Sequence, residues 1–138
     1  MYVLDTNVVS ELRKAATGRA AKQVVTWANS VSAGSLYVSS ITVLELELGV
    51  LQMERRDPVQ GSVLRTWMSS HVLPAFAGRV LPVDEAVALK CAALHVPDRR
   101  ADRDCLIAAT ALVHGFVVVT RNVDDFPATS ATLLNPWE

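Results

Sequence analysis

Apolar positions near the start of the chain follow two different rhythms. Residues 2–4, "YVL", form a short unbroken run of the aromatic and β-branched kind that favours a strand, and the run stops on Asp5. In "TNVVSELRK" just after it, Val8, Val9 and Leu12 recur on one helical face, so the pattern reads strand, then helix. Helical spacing returns in "GRAAKQVVTWANSVSAG" through Val24, Val25, Trp27 and Ala28 until Gly34 closes it, and "SLYVSS" is a second strand. "ITVLELELGVLQMER" has more apolar than polar surface, which predicts a helix buried on two sides and ended by the "RRDP" break at Pro58. "VLRTWMSSHVLPAF" predicts a helix interrupted near Pro74, "RVLPVD" a short strand, and "EAVALKCAALH" a helix ending before Pro97. "DRRADRDCLIAATALVHG" reads as a charged loop feeding an Ala-rich helix stopped by Gly115, and "FVVVT" as a buried strand. A loop, "RNVDDFP", and a weak edge strand, "ATLLNP", follow.

Strands alternating with helices predict an α/β fold: a parallel sheet with right-handed crossovers that place helices on both faces. No internal repeat or linker interrupts the pattern, and 138 residues, 51% of them hydrophobic, suit one domain over residues 1–138. In such folds ligands gather at the carboxyl ends of the strands, which draws attention to Asp5 and Thr120.

Thirteen Lys and Arg against fourteen Asp and Glu leave a net charge of −1, so no global positive field exists to hold a nucleic-acid duplex unaided. The two cysteines, Cys91 and Cys105, lack metal-ligand spacing and sit among Ala, Leu or Ile, which reads as isolated, reduced, buried packing with no disulfide. Asp5 interrupts the first apolar stretch, and no apolar segment approaches the roughly 18 residues of a membrane span. The expectation is a soluble cytoplasmic protein with no membrane partner.

The acids carry the candidate chemistry. Taken alone, Asp5 is an N-cap for the first helix, and Glu45, three residues after Thr42, completes the capping box "TVLE". Glu45 also shares a helical face with Ile41, Leu48 and Gly49, an apolar setting for a carboxylate unless a cation awaits it. Glu47 points elsewhere, toward water or a salt bridge. Asp104 lies in the first turn of the Ala-rich helix, where the helix N-terminus favours a carboxylate, and Asp102 is the simpler N-cap. Asp124 and Asp125 lie in a turn after the buried strand, where acids are common. Jointly, positions 5, 104 and 125 fall at strand ends or helix starts along one rim of the sheet, within reach of Glu45. Such carboxylates repel one another unless they protonate or bind a cation. Oxygen ligands without His or Cys select Mg²⁺ or Mn²⁺.

These stretches, "VLDTNVVSEL", "SSITVLELELG", "DRDCLIAATALVHG" and "FVVVTRNVDDF", occur in an order and spacing that resemble the PIN-domain endoribonucleases of the VapC toxin family, in the FitB-like branch. The resemblance spans essentially the whole chain. It implies a PIN-like sandwich with a central parallel sheet of about five strands, and an acidic quartet at Asp5, Glu45, Asp104 and Asp125 supported by Asn7 and Thr120. Asp5 and Asp104 are the strongest metal-ligand candidates it gives. It implies a homodimer neutralised by a VapB/FitA-like antitoxin that supplies the DNA-binding half. Two departures stand out: Leu46 and Glu47 occupy positions where relatives often carry a basic or aromatic residue, and the Asp124–Asp125 pair leaves the fourth acid open. Asp102 adds a further ambiguity, since a half-turn error in helix register would exchange it with Asp104.

The function expected is hydrolysis of RNA phosphodiester bonds with a carboxylate-held metal, while Arg100, Arg103 or Arg121 grips the RNA backbone. Two other classes compete. A haloacid-dehalogenase-type phosphatase also begins with a strand ending on Asp but needs a second Asp where this chain has Asn7. A noncatalytic module would use the same acidic pocket to receive an Arg from a protein partner. Ser-His-Asp hydrolysis is disfavoured because His71, His95 and His114 lack a nucleophile-elbow partner.

Overall fold

The computed structural model describes residues 1–126 and 130–138. Five short strands, β1 (Tyr2–Leu4), β2 (Leu36–Ser39), β3 (Val80–Leu81), β4 (Val117–Val119) and β5 (Leu133–Leu134), form one sheet in the order β3-β2-β1-β4-β5. Every pairing is parallel, with Tyr2 opposite both Leu36 and Val117. Between the strands run α1 (Thr6–Arg13), α2 (Lys22–Ser30), α3 (Ser40–Arg56), α4 (Pro58–Trp67), α5 (Leu73–Ala75), α6 (Glu85–Leu94) and α7 (Asp102–His114).

Period-two alternation of the strands sends successive side chains to opposite layers. Leu4, Val38 and Val119 pack against Val8 and Val9 of α1, Leu46 and Val50 of α3, and Met68 and Val72. On the other face Val3 and Val118 meet Ile107, Ala108 and Ala111 of α7, together with Phe126. The small residues of α7 allow that helix to lie close to the sheet. A third cluster, Val87, Cys91, Cys105 and Ala109, joins α6 to α7. The α/β expectation is therefore met, with β3 and β5 at the edges.

Several local expectations are corrected. α3 buries Thr42, Leu46 and Val50 and packs along α4, but it leaves Leu44 and Leu51 about half exposed, so an apolar face stays open. The capping box is absent: Ser39, not Thr42, caps α3 by accepting from the Ile41 N–H at 3.0 Å, which places Thr42 and Glu45 one turn deeper. Helix four starts at Pro58, where the missing N–H costs nothing, with Asp57 accepting from the Gln60 N–H at 3.2 Å. Its irregularity precedes Pro74: residues Met68–Val72 widen into a π turn and Pro74 continues within α5. Finally, Ala101 is the N-cap of α7, and Asp102 is its first helical residue. Pro127, the last residue of the expected "RNVDDFP" loop, lies outside the described residues; Val123–Asp125 within it form a 3₁₀ turn.

Gly61 marks the closest approach of α3 and α4. A Cβ there would stand 2.7 Å from the Glu54 backbone nitrogen, inside any real contact distance. Gly61→Ala is expected to push the helices apart and cost about 1–3 kcal/mol. A urea melt reads this as a lower midpoint at unchanged slope; an unmoved midpoint would show that the helices separate freely.

Candidate active site

Asp5 follows β1 and is held by the sheet itself, since its N–H donates to the Val119 carbonyl at 2.8 Å. The neighbouring strand β4 ends level with β1, Leu4 pairing with Val119, so Thr120 stands beside Asp5. Thr120 Oγ1 donates to Asp5 Oδ2 at 2.7 Å and accepts from the Asn122 N–H at 3.0 Å. Asp5 Oδ1 accepts from the Thr6 N–H at 2.8 Å, and Asn7 Nδ2 lies 3.3 Å from Oδ2. Asp5 thus caps α1 as expected, through the next residue's N–H rather than one two or three further on. The cap and the site are one residue, only 6% exposed.

Glu45 reaches the same place from the first turns of α3. Its Oε1 accepts from Thr6 Oγ1 at 2.7 Å, and Thr6 Oγ1 also lies 3.2 Å from Thr42 Oγ1. The cation that Glu45's apolar face required is Arg103, whose Nη1 is 3.5 Å from Oε2. Glu47 does point elsewhere, into a paired contact with Arg65 at 2.7 and 2.8 Å.

Asp5, Glu45 and Asp104 line one open cleft of about 470 Å³, with Thr6, Asn7, Arg121 and Asn122 around them. The Asp102/Asp104 ambiguity is thereby resolved by position. Asp104 faces the cleft, whereas Asp102 turns to His95 Nε2 (3.4 Å) and Arg99 (3.6 Å) on the other side of the turn. Asp125 is exposed beside the cleft, and its charge acts on both Asp5 and Asp104.

Electrostatics mark the cleft as short of positive charge. Burial pushes the Asp5 pKa up from its ordinary value; hydrogen bonds from Thr120 and Thr6 offset part of this, and the charges of Glu45 and Asp125 add to it. Asp104 is pushed up to about 6, first by desolvation, then by Asp5, Asp125 and Glu45. Its place in the first turn of α7 favours the ionised form, yet burial and three like charges win. An all-oxygen donor set carrying such unrelieved repulsion fits a hard divalent cation, and no His or Cys lines the cleft among the described residues.

Of the three arginines, Arg103 is tied to Glu45 and Arg121 lines the cleft with its guanidinium over the Trp137 ring at 5.2 Å. Arg100 is not brought there: its Nε donates to the Leu94 carbonyl at 3.2 Å, closing the end of α6. Thr6, Asn122, Lys14 and Trp137 also line the cleft and were missed by sequence reasoning. Thr6 alone had a signal, its place beside Asp5; the others reach the site only through chain folding. Asn7, where a phosphatase would place its acid, makes an amide contact to Asp5 and accepts from the Arg121 N–H at 3.3 Å, so it orients rather than donates protons.

A family model described as the PIN domain matches residues 2–131. The chain is 40% identical over 143 residues to the VapC ribonuclease Y4jK of Sinorhizobium fredii, covering 100% of this chain and 99% of that protein. It is 39% identical to the toxin FitB of Neisseria gonorrhoeae, with 99% of each covered. The crystal structure of FitAcB from Neisseria gonorrhoeae superposes with a TM-score of 0.89 at 37% identity, covering 100% of this chain and 99% of that one. The matched stretch contains all four candidate acids, and the five-stranded parallel sheet is shared; the chain belongs to the PIN-domain family, in the branch that holds VapC and FitB.

Proposed function

We propose that this chain is the toxin of a type II toxin–antitoxin module and a Mg²⁺-dependent endoribonuclease, with Mn²⁺ a competent substitute, built as a single PIN domain over residues 1–138. The observation that carries the reading is the meeting of Asp5, Glu45 and Asp104 in one cleft beside Asp125, with too little positive charge to balance them. The names of the full-length relatives, a VapC ribonuclease and a toxin, support the activity and the biological setting.

In this reading Asp5 and Asp104 would hold the ion, and Glu45 and Asp125 would help to hold a second ion or orient waters. The bound ion would lower the pKa of water and offset the charge that develops on the phosphate. The remaining work belongs to the chain. Thr120 and Asn7 fix the Asp5 carboxylate, Thr6 fixes Glu45, and Arg121 and Arg103 attract the RNA backbone. The reaction joins a water oxygen to phosphorus and breaks one P–O ester bond.

The proposed partners are a VapB/FitA-like antitoxin and a second copy of the chain, with DNA reached only through the antitoxin. An exposed apolar row on α3 and α4, comprising Leu44, Leu48, Leu51, Val59 and Val63, supports protein partners of this kind. No helix among the described residues is long and apolar enough to cross a membrane.

Partner-free protein incubated with structured RNAs is expected to cleave them with Mg²⁺ or Mn²⁺ and to stop on addition of EDTA. Absence of metal-dependent cleavage would instead favour the acidic pocket as a docking site for a partner's Arg, a role for which the Arg103–Glu45 pair is an internal precedent.

A further inference from the structure

Away from the cleft, the seam between α6 and α7 gathers the chain's only two cysteines around a histidine. Cys91 lies in the last turn of α6 and His95, four residues on, caps that helix, while Cys105 faces them from the first turns of α7. Cys91 Sγ lies 3.8 Å from His95 Nε2 and Cys105 Sγ 3.9 Å from His95 Nδ1, and one ligand atom from each of the three lies within 4.8 Å of the others. Both thiols are buried, at 7% and 1% exposure. The expectation of isolated cysteines is therefore corrected: they are buried, but together, because helix packing joins positions 14 residues apart that no sequence spacing links.

We propose that Cys91, His95 and Cys105 form a second metal site, specific for a thiophilic ion of the Zn²⁺ class and distinct from the carboxylate cleft. Tetrahedral ligation with bonds of about 2.0–2.3 Å sets ligand atoms roughly 3.3–3.8 Å apart; an ion takes one ring nitrogen, so the sulfur already beside that nitrogen needs little movement, while the other separations, all within 4.8 Å, must close by up to about 1 Å. Two thiolates and an imidazole select Zn²⁺ over the hard ions that suit the acids. Asp102, whose Oδ1 is 3.4 Å from His95 Nε2, is the nearest group for the fourth position or for orienting the ring.

One adjustment is required. The Arg100 N–H now donates to His95 Nδ1 at 3.0 Å. A metal-bound neutral imidazole carries either the metal or its remaining proton at Nδ1, so this amide must release the ring, and the connection between α6 and α7 must shift. Asp104 directly precedes Cys105, so ligation also ties down the turn from which Asp104 enters the cleft.

The test uses the full, reduced, metal-stripped chain titrated with Co²⁺. A thiolate-to-Co²⁺ charge-transfer band saturating at one ion per chain, displaced by Zn²⁺, is expected, with a shift of the Arg100 amide resonance on Zn²⁺ addition. The band should lose intensity and tight saturation in Cys91→Ser and in Cys105→Ser, vanish when both are replaced, persist in Asp5→Asn, and weaken about 10-fold in affinity in Asp102→Asn. Far-UV circular dichroism and Cys91→Ala guard against a misfolded variant. No thiolate band, a band undiminished in Cys91→Ser and Cys91→Ala, or one lost in Asp5→Asn would overturn the proposal.

Discussion

Replacing Asp5 by Asn is expected to abolish metal-dependent RNA cleavage while leaving the metal-free protein at least as stable as the parent. The two halves have one cause. Asp5 is nearly inaccessible and its carboxylate carries a desolvation penalty that the Thr120 and Thr6 hydrogen bonds offset only in part. Asn keeps the shape and the acceptor for the Thr6 N–H, and its amide can donate to Thr120 Oγ1 once that hydroxyl rotates. What disappears is the negative charge that holds the proposed ion. Metal-derived stabilisation of a phosphoryl transition state is worth several kcal/mol, so the loss should be about 10³-fold or more. Cleavage within about 10-fold of the parent, at matched metal and with a normal melting curve, would remove Asp5 from the mechanism. A lowered Tm without metal would show that the Asp5 charge stabilises the fold, contrary to its raised pKa.

The second large effect is an inversion of pH dependence by metal. Asp104 has a folded-state pKa of about 6 against an ordinary value of 3.8, and Asp5 is raised as well. A carboxyl raised in the folded state binds its proton more tightly there than in the unfolded chain. Stability from this source is therefore fully present below the unfolded pKa and lost as pH rises from about 4 through 6. Metal-free protein should accordingly lose Tm across that window. Saturating Mg²⁺ or Mn²⁺ favours the ionised form and should restore the Tm above pH 6, with little effect near pH 4, where protons compete. Cleavage should rise through the same window. Asp104→Asn should flatten most of the metal-free slope. A metal-free Tm that climbs from pH 4 to 7, or an Mg²⁺ effect equal at both ends, would contradict this account of the cleft.

Several site residues were legible because their local signal and their tertiary role coincide. Asp5 ends an apolar run, and a residue after a parallel strand lies at the sheet's binding edge whatever the rest of the chain does. Thr120 follows β4 in the same way, and adjacent parallel strands necessarily bring the two ends together. Glu45 was legible through a conflict, a carboxylate on an apolar face, which Thr6 and Arg103 resolve. Where several residues could play one local role, pattern failed. Ser39 and Thr42 are both competent caps, and only the end of β2 decides for Ser39. Asp102 and Asp104 stand two residues apart in one helical turn, so only the packing of α7 sends one to His95 and the other to the cleft.

By itself the sequence determined the alternation of elements, the parallel sheet and the identity of the candidate acids, because hydrophobic period and strand ends are properties of neighbouring residues. Tertiary structure alone decided which acid faces the cleft, that Arg100 is spent on α6, that α3 keeps an exposed apolar side, and that Cys91, His95 and Cys105 meet. Each of these depends on the angle and rotation at which one helix packs on another, and a change of half a turn there leaves the hydrophobic pattern almost unaltered while sending every polar side chain elsewhere.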